Sequence, residues 1–428
     1  MRKLNIAIVG LGNIGCYLFK YLEKNRKILT EKNNCLPVIK YVSAKNKKKK
    51  RDIRIKKNQW LNNYLDATKL KDVDMIIELI GGAEGPAKKL VFSALKNKKH
   101  VVTANKALIA KYGDQLAKIA ESNKVNLEFE ASVCGGVPII RSLKEGLIAN
   151  KITKIYGILN GTSNYILSTM DKKNNNFDEV LSSAKKLGYA ESNPAADLNG
   201  EDVSSKLKIL TSLCFNSFLN NNIYVEGIKN IDKTDINNAN NLGYKIKLLG
   251  FAELLNNKIY QRVHPTLIKK NSYVASIDGV LNAIIIDGKP VGQSIIQGEG
   301  AGPAATTSAL ISDISSILRG NIKFPFSLSN EQRKSLIFDN IKDRFFSAYI
   351  RFEVIDKPGV LSDITNIFSK NKVSIKRLVQ NPYKNKKNSS IVIITHNSKD
   401  QSLNKLLKII SKKNYINKKP KLIRIDNG

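Results

Sequence analysis

The feature that most constrains this 428-residue chain lies at its start. Residues 4–9 (LNIAIV) form an apolar, β-branched run of strand length. They lead directly into Gly10-Leu11-Gly12-Asn13-Ile14-Gly15, after which Leu18, Phe19 and Leu22 recur at helical spacing. A strand, a G-x-G-x-x-G turn and a helix in that order form a dinucleotide-binding unit. The glycines permit a tight turn, close approach of a pyrophosphate and close packing of helix on strand. The N-terminus of the helix that follows offers free N–H groups that suit phosphate charge. The chain is therefore expected to open as an α/β, doubly wound, Rossmann-like domain that binds a dinucleotide.

The following strands refine that expectation. Residues 37–44 read as the second strand, where an NAD site would carry an acid for the ribose 2′-hydroxyl. Here Ser43-Ala44-Lys45-Asn46 and a basic run over 47–51 follow instead. No carboxylate repels a 2′-phosphate, and Lys45 or a neighbour can pair with one, which favours NADP over NAD. Residues 73–80 and 99–102 are further apolar strands, ending in Gly81-Gly82 and in Thr103-Ala104-Asn105-Lys106. Ligands bind beyond the carboxyl ends of such strands. Lys106 there can reach a phosphate, a carboxylate, a carbonyl oxygen or only solvent. After a strand at 125–131, the turn Gly135-Gly136-Val137-Pro138 exposes carbonyls that, with Glu130, suit a hard cation. An ordinary turn would have the same sequence.

Past residue 131 the pattern changes. Residues 152–159 read as a strand, followed by Asn160-Gly161-Thr162-Ser163-Asn164 and a helix. These residues offer amides and hydroxyls to a substrate carboxylate, or simply cap the helix. Residues 189–210 (YAESNPAADLNGEDVSSKLKIL) concentrate Glu191, Asp197, Asp202 and Lys206. Val203, Leu207 and Leu210 are helically spaced, so Asp202 and Lys206 share a face. Alone, such a pair reads as a surface ion pair. With Glu191 and Asp197 delivered by the preceding loop, the group can grip an ammonium and place a proton donor. Alternating segments at 258–263, at Val274 and Ile277, and at 283–286 imply a mixed α+β second domain. Gly298-Glu299-Gly300-Ala301-Gly302 is a second Gly-rich loop before a helix over 305–318, either returning to the cofactor or only turning tightly. Residues 324–344 are polar and weakly patterned, as in a linker. A strand at 348–354, the turn Asp356-Lys357-Pro358-Gly359, a helix, strands at 374–379 and 391–395, and a helix at 403–410 suggest a ferredoxin-like module.

Composition removes other classes. The formal net charge of +35 would suit nucleic acid or a membrane surface. Yet lysine and asparagine fill loops throughout, as at 172–176 and 381–387, in the manner of a general compositional bias. The basic run at 45–51 has no interleaved aromatics for stacking bases. The 4 cysteines are scattered, and His100, His264 and His396 stand alone. A reducing cytoplasm fits, without disulfides or a transition-metal cluster. No apolar stretch has the length of a membrane span, and the N-terminal apolar run is broken by glycines unlike a signal peptide.

Taken together, these motifs resemble homoserine dehydrogenase of the monofunctional kind with a C-terminal ACT domain. The resemblance covers nearly the whole chain and rests on residues 10–15, 102–106, 129–138, 158–165 and 189–210, with 356–361 similar to the opening of an ACT domain. It implies a Rossmann-like cofactor domain over 1–130, completed by about 300–325, and a mixed α+β catalytic and dimerisation domain over 131–320. A linker over 321–347 and a ferredoxin-like ACT domain over 348–428 would follow. The implied reaction is reversible hydride transfer between a nicotinamide cofactor and the L-aspartate 4-semialdehyde/L-homoserine pair, on the way to threonine, methionine and isoleucine.

By the same resemblance Lys206 donates the proton and Lys106 contacts cofactor and substrate. Glu191 and Asp202 bind substrate together with Asn160, Gly161 and Thr162, and Asp197 supports them in the catalytic set. The cofactor falls to Gly10, Gly12, Asn13, Ile14, Gly15, Lys45, Gly81, Thr103, Lys106 and Gly302. A sodium ion would sit on the Glu130 side chain and the carbonyls of Val133, Gly135 and Val137. Threonine is the implied effector at the ACT domain, in a homodimer or homotetramer. Two departures stand out: Asn193 where relatives carry Asp, and Glu299 with Ala305 where relatives carry prolines. Three rivals remain. Another amino-acid semialdehyde dehydrogenase would not call for Asn160-Gly161-Thr162 with Glu191, Asp202 and Lys206. A basic nucleic-acid-binding regulator would want a recognition motif that is not visible. An inactive ACT-driven sensor would not need the intact lysines and carboxylates.

Overall fold

The structure is a computed structural model describing residues 1–382 and 387–426. Residues 383–386, within the Lys/Asn-rich run at 381–387, and 427–428 lie outside the described residues.

Five parallel strands make the first sheet: β1 (Arg2–Val9), β2 (Cys35–Ser43), β3 (Met75–Glu78), β4 (His100–Thr103) and β5 (Leu127–Glu128). Their spatial order is β2-β1-β3-β4-β5. Ile6, Ala7, Ile8 and Val9 are all buried, as in a strand covered on both faces. On one face the helix Asn13–Lys24 inserts Leu18, Phe19 and Leu22. The helix Pro303–Leu318, far on in sequence, joins the same apolar cluster through Leu310, Ile314 and Ile317. Gly15 is required for this packing: a Cβ there would lie 2.0 Å from the Gly10 carbonyl oxygen.

The remaining strands are β6 (Lys151–Ile158), β7 (Tyr224–Val225), β8 (Tyr244–Leu255), β9 (Lys258–Lys269), β10 (Leu281–Lys289) and β11 (Gly292–Glu299). Then come β12 (Ile337–Phe338), β13 (Phe345–Ile355), β14 (Ile375–Pro382), β15 (Asn388–Thr395), β16 (Ser398–Lys399) and β17 (Ile416–Asp426). They build one mixed sheet whose main path runs β11-β10-β6-β8-β9-β17-β13-β15-β14. Its last four strands are antiparallel neighbours joined by the helices Val360–Lys370 and Asp400–Ile410, a ferredoxin-like arrangement. β17 pairs in parallel with β9, so the C-terminal module extends the central sheet. Arg351 of β13, only 3% exposed, reinforces that seam. Its guanidinium meets Asp235 at 2.7 Å and Asp232 at 2.5 Å, and Asp232 caps the helix Lys233–Asn241.

One sequence expectation needs correction, and one strand was not foreseen. Val274 does not lie in a strand; it belongs to the short helix Tyr273–Ser276, while β8, unnoticed in the sequence, runs for 12 residues. Residues 324–344, expected as a linker, pack against the rest of the chain. Phe326 is fully buried, and Arg333 is 5% exposed. The Arg333 guanidinium lies over the Phe326 ring and donates to Asp114 (2.6 Å), to the Ser212 hydroxyl (2.8 Å) and to the Ser217 carbonyl (2.7 Å). Asp114 lies on the helix Lys106–Ser122 and Ser212 on the helix Glu201–Phe215. The segment thus clamps later parts of the two helices whose opening two turns carry Lys106, Asp202 and Lys206. We predict that Arg333→Met lowers unfolding stability by about 2–4 kcal/mol, because the ion pair and two buried acceptors lose their partner. Urea denaturation followed by fluorescence checks this, and an unchanged midpoint contradicts it.

Candidate active site

Two chain segments bring the polar residues together. From the first sheet, β4 ends at Thr103, and the Asn105 side chain caps the helix Lys106–Ser122 by accepting the Leu108 N–H at 3.1 Å. Lys106 is therefore held at a helix start at the carboxyl edge of the sheet. From the second sheet, β6 runs to Leu159 and Asn160. Asn160 caps the helix Gly161–Lys173 by accepting the Ser163 N–H at 2.8 Å, which is its local structural role. Its Nδ2 is left to donate to Asp197 Oδ1 at 2.8 Å and to Asp202 Oδ2 at 2.9 Å. Gly161 is needed because a Cβ would lie 2.7 Å from the Val280 carbonyl oxygen.

Asp202 stands at the centre. It lies in the first turn of the helix Glu201–Phe215, with Lys206 one turn on. Its Oδ1 is 2.7 Å from the Lys106 ammonium and its Oδ2 is 2.8 Å from that of Lys206. Lys206 Nζ also donates to the Leu159 carbonyl at 2.6 Å. The Asp202 and Lys206 side chains are 5% and 9% exposed, while that of Lys106, at 41%, reaches open solvent. The pair, which local sequence left open as a surface ion pair, is thus part of a buried, three-group bridge.

Burial and attraction compete at these groups, and attraction wins. Burial alone would raise the Asp202 carboxyl, but the Lys206 and Lys106 charges hold it well below the usual carboxylate range. Burial alone would lower Lys206, but the Asp202 charge lifts its ammonium above the ordinary 10.5. Asp197 moves the other way, raised by burial and by the Asp202 charge. Lys206 is consequently a firmly protonated acid beside a carboxylate that stays ionised.

These groups line a cavity of about 640 Å³. Glu191 and Glu299 also line it, the first on the loop before the helix Ala195–Asn199. Thr162 contributes indirectly, its hydroxyl donating to the Tyr189 carbonyl at 2.7 Å and so tethering the Glu191 loop. Asn193 accepts the Ala195 N–H at 3.3 Å and helps start that helix. Ile14, Ala104 and Gly302 reach the same cavity from the cofactor side.

The cofactor edge fits a dinucleotide. A Cβ on Gly12 or on Gly302 would meet nothing within 4 Å, so open space adjoins the backbone at both. Gly302, at φ +109°, precedes the helix Pro303–Leu318. A second cavity of about 350 Å³ adjoins Gly12 and Asn13 and is lined by Lys20, Lys49, Lys50 and Arg51. Arg51 shapes this loop by donating to the carbonyls of Leu11 (3.1 Å) and Asn46 (2.7 Å). Lys45 is exposed outside this lining. Gly81 takes φ +86° beyond β3. The Thr103 hydroxyl points inward, donating to Glu78 Oε2 at 2.6 Å.

At the implied cation site, the two oxygens of Glu130 accept the N–H groups of Ile140 (2.9 Å) and Arg141 (2.6 Å). Burial pushes its carboxyl up to about 7. The Val137 carbonyl accepts the Ile139 N–H at 2.7 Å, while Gly135 packs on Thr306 of the returning helix. Val133 and Val137 are buried. Among the described residues no cluster of three His, Cys, Asp or Glu side chains could hold a metal, so any ion here would depend on backbone oxygens.

Sequence reasoning missed the Leu159 carbonyl, which no side-chain pattern reveals. It also missed Glu78, though a carboxylate set among Met75, Ile76, Ile77, Leu79 and Ile80 was a readable signal.

The geometry agrees with comparisons to known proteins. Residues 138–315 match the family model for homoserine dehydrogenase, residues 10–130 its NAD-binding domain, and residues 348–413 the ACT domain. The chain is 37% identical to homoserine dehydrogenase of Helicobacter pylori over 428 residues, covering 100% of both proteins. It is 36% identical to that of Neisseria gonorrhoeae, covering 100% of this chain and 99% of the relative. A homoserine dehydrogenase structure from Thiobacillus denitrificans superposes with a TM-score of 0.92 at 34% identity, covering 100% of this chain and 99% of that one. The chain therefore belongs to the homoserine dehydrogenase family.

Proposed function

We propose that the chain catalyses reversible hydride transfer between L-homoserine and L-aspartate 4-semialdehyde, preferring NADP, in the formation of threonine, methionine and isoleucine. The observation that carries this reading is the Asp202 carboxylate bridging the Lys106 and Lys206 ammoniums at a cavity shared with the cofactor edge. A bound nicotinamide supplies or accepts the hydride. Hydride arriving at an aldehyde leaves an alkoxide, which Lys206 protonates at once. Glu191 and Asp202 take the substrate's α-ammonium by charge-assisted hydrogen bonds, while Asn160 keeps Asp197 and Asp202 in place. The 2.6 Å bond to the Leu159 carbonyl holds Lys206 aimed without neutralising it.

Preference for NADP is supported by Lys45, rather than an acid, directly after β2 and by Lys49, Lys50 and Arg51, which with Lys20 outnumber the one acid, Asp52, in the lining of the cavity next to Gly12. Sodium on Glu130 and the carbonyls of Val133, Gly135 and Val137 would steady the turn that packs against Glu299 and Thr306. An amino-acid effector, threonine, fits the module's own cavity of about 320 Å³, lined by Asp356, Lys357, Gly359 and Gln380. A homodimer or homotetramer is in keeping with β11, an edge strand carrying the half-exposed Ile295. The free thiols of all four cysteines accord with a cytoplasmic site, and no described helix is long and apolar enough to cross a membrane. We assign residues 1–130 with about 300–325 to the cofactor domain, 131–320 to the catalytic domain and 348–428 to the regulatory one.

Two experiments check this reading. Purified protein should reduce NADP⁺ with L-homoserine, and Lys206→Ala should lower kcat roughly 10²- to 10⁴-fold with NADPH binding unchanged. Wild-type turnover of another hydroxy amino acid but not of homoserine would contradict the assignment. Replacing Lys45 and Lys49 together by Glu should raise the KM for NADP⁺ by at least about tenfold and leave that for NAD⁺ near its wild-type value. An unchanged NADP⁺/NAD⁺ ratio would remove the proposed phosphate contacts.

A further inference from the structure

Glu78 closes β3 and is fully buried. Among the described residues no lysine, arginine or histidine lies within ion-pair distance of it. A buried carboxylate without a cation must be satisfied by hydrogen bonds alone. Glu78 obtains three, all from the cofactor edge. Its Oε1 accepts the N–H groups of Ile80 (2.7 Å) and Gly81 (3.0 Å), and its Oε2 accepts the Thr103 hydroxyl (2.6 Å).

The bonds continue from there. The Thr103 Oγ1 accepts the Asn105 N–H at 2.9 Å, and Asn105 Nδ2 donates to the Gly82 carbonyl at 2.7 Å. One carboxylate thus closes a ring through two loops, 80–82 after β3 and 103–105 after β4. The first loop carries two consecutive residues in the left-handed region, Gly81 at φ +86° and Gly82 at φ +81°, which glycine adopts without strain and which leave the loop's path to be set by its hydrogen bonds. It also abuts the dinucleotide turn, since a Cβ on Gly10 would lie 2.4 Å from the Leu79 carbonyl oxygen. The second loop delivers Lys106, whose ammonium meets Asp202 across the cavity.

We propose that Glu78 is a positioning residue for hydride transfer, acting through Thr103 and Asn105 to set the cofactor loop and Lys106 in one fixed relation. It touches neither substrate nor cofactor. The inference rests on the dehydrogenase reading and concerns geometry, so its signature is a slower hydride step rather than a lost proton donor. Glu78→Gln keeps the size of the side chain and an acceptor for the two N–H groups. It puts an NH₂ opposite Thr103, however, and leaves the buried hydroxyl proton without an acceptor. Thr103→Val removes the same link from the other end.

The test uses full-length protein with L-homoserine and NADP⁺, with and without deuterium on the reacting carbon. Glu78→Gln should lower kcat roughly 10- to 100-fold, as expected when reacting groups are displaced by about 1 Å. The isotope effect on kcat should rise, because hydride transfer becomes rate-limiting. Thr103→Val should move both readouts in the same direction, and the double variant should lose little more than Glu78→Gln alone, as partners in one network do. Unchanged kcat and isotope effect in Thr103→Val would overturn the proposal. So would multiplying losses in the double variant, or a lowered melting temperature with intact kinetics in Glu78→Gln. A wild-type protein inactive on homoserine would instead sink the dehydrogenase reading. The brace would then be read from NADPH affinity, expected to be weaker in both variants and overturned by equal affinity.

Discussion

The site depends on one carboxylate between two ammoniums. Asp202 is nearly buried, and each of its oxygens meets a lysine at ion-pair distance. Leaving either side out would strand a charge in a low-dielectric setting, at a cost of several kcal/mol. The bridge also joins the two halves of the molecule, because Lys106 belongs to the first sheet's loop-helix junction and Asp202 to the central domain. Proton chemistry and domain register thus share a single contact. That contact keeps Lys206 protonated despite its burial.

Much of the remaining architecture can be understood as holding the ends of that bridge. Asn160 connects Asp197 to Asp202 while capping its own helix. Arg333 clamps the two helices farther along, and Glu78 ties the loops at the cofactor edge. The close approach of Gly161 to Val280 and of Gly15 to Gly10 sets how near the backbone segments can come. The C-terminal module is built into the same central sheet through the β17–β9 pairing, so it is continuous with the strands that support the site.

The cofactor domain was legible because two strong local signals coincide there: an apolar strand and a glycine motif in which Gly10 and Gly15 leave no room for a Cβ. The ferredoxin-like module was legible from its alternation and its Asp356–Gly359 turn. The central domain was less so. β8 is buried for most of its length and so lacks the period of two, and Val274 was misread because a four-residue helix is too short to show periodicity. The 321–347 segment looked like a linker because its buried anchors are few and one is the polar Arg333. In the site, residues 189–210 announced their carboxylates and lysine, but local sequence left open whether they formed a surface pair. Only the fold brings Lys106, nearly a hundred positions earlier, onto Asp202. The Thr103 hydroxyl is turned towards Glu78, a partner that becomes adjacent only when β3 and β4 pair.

The central claim is that Asp202 keeps Lys206 a protonated acid despite burial. The most direct measurement is the pH dependence of NADPH-driven reduction of L-aspartate 4-semialdehyde, wild type beside Asp202→Asn. An acid catalyst is active below its pKa and lost as pH rises through it. With the lysine raised above 10.5, the wild-type rate should stay flat up to about pH 10. Without the carboxylate charge, burial is no longer outweighed, and the alkaline fall in Asp202→Asn should move to lower pH. Coincident alkaline limbs in the two proteins would contradict the account.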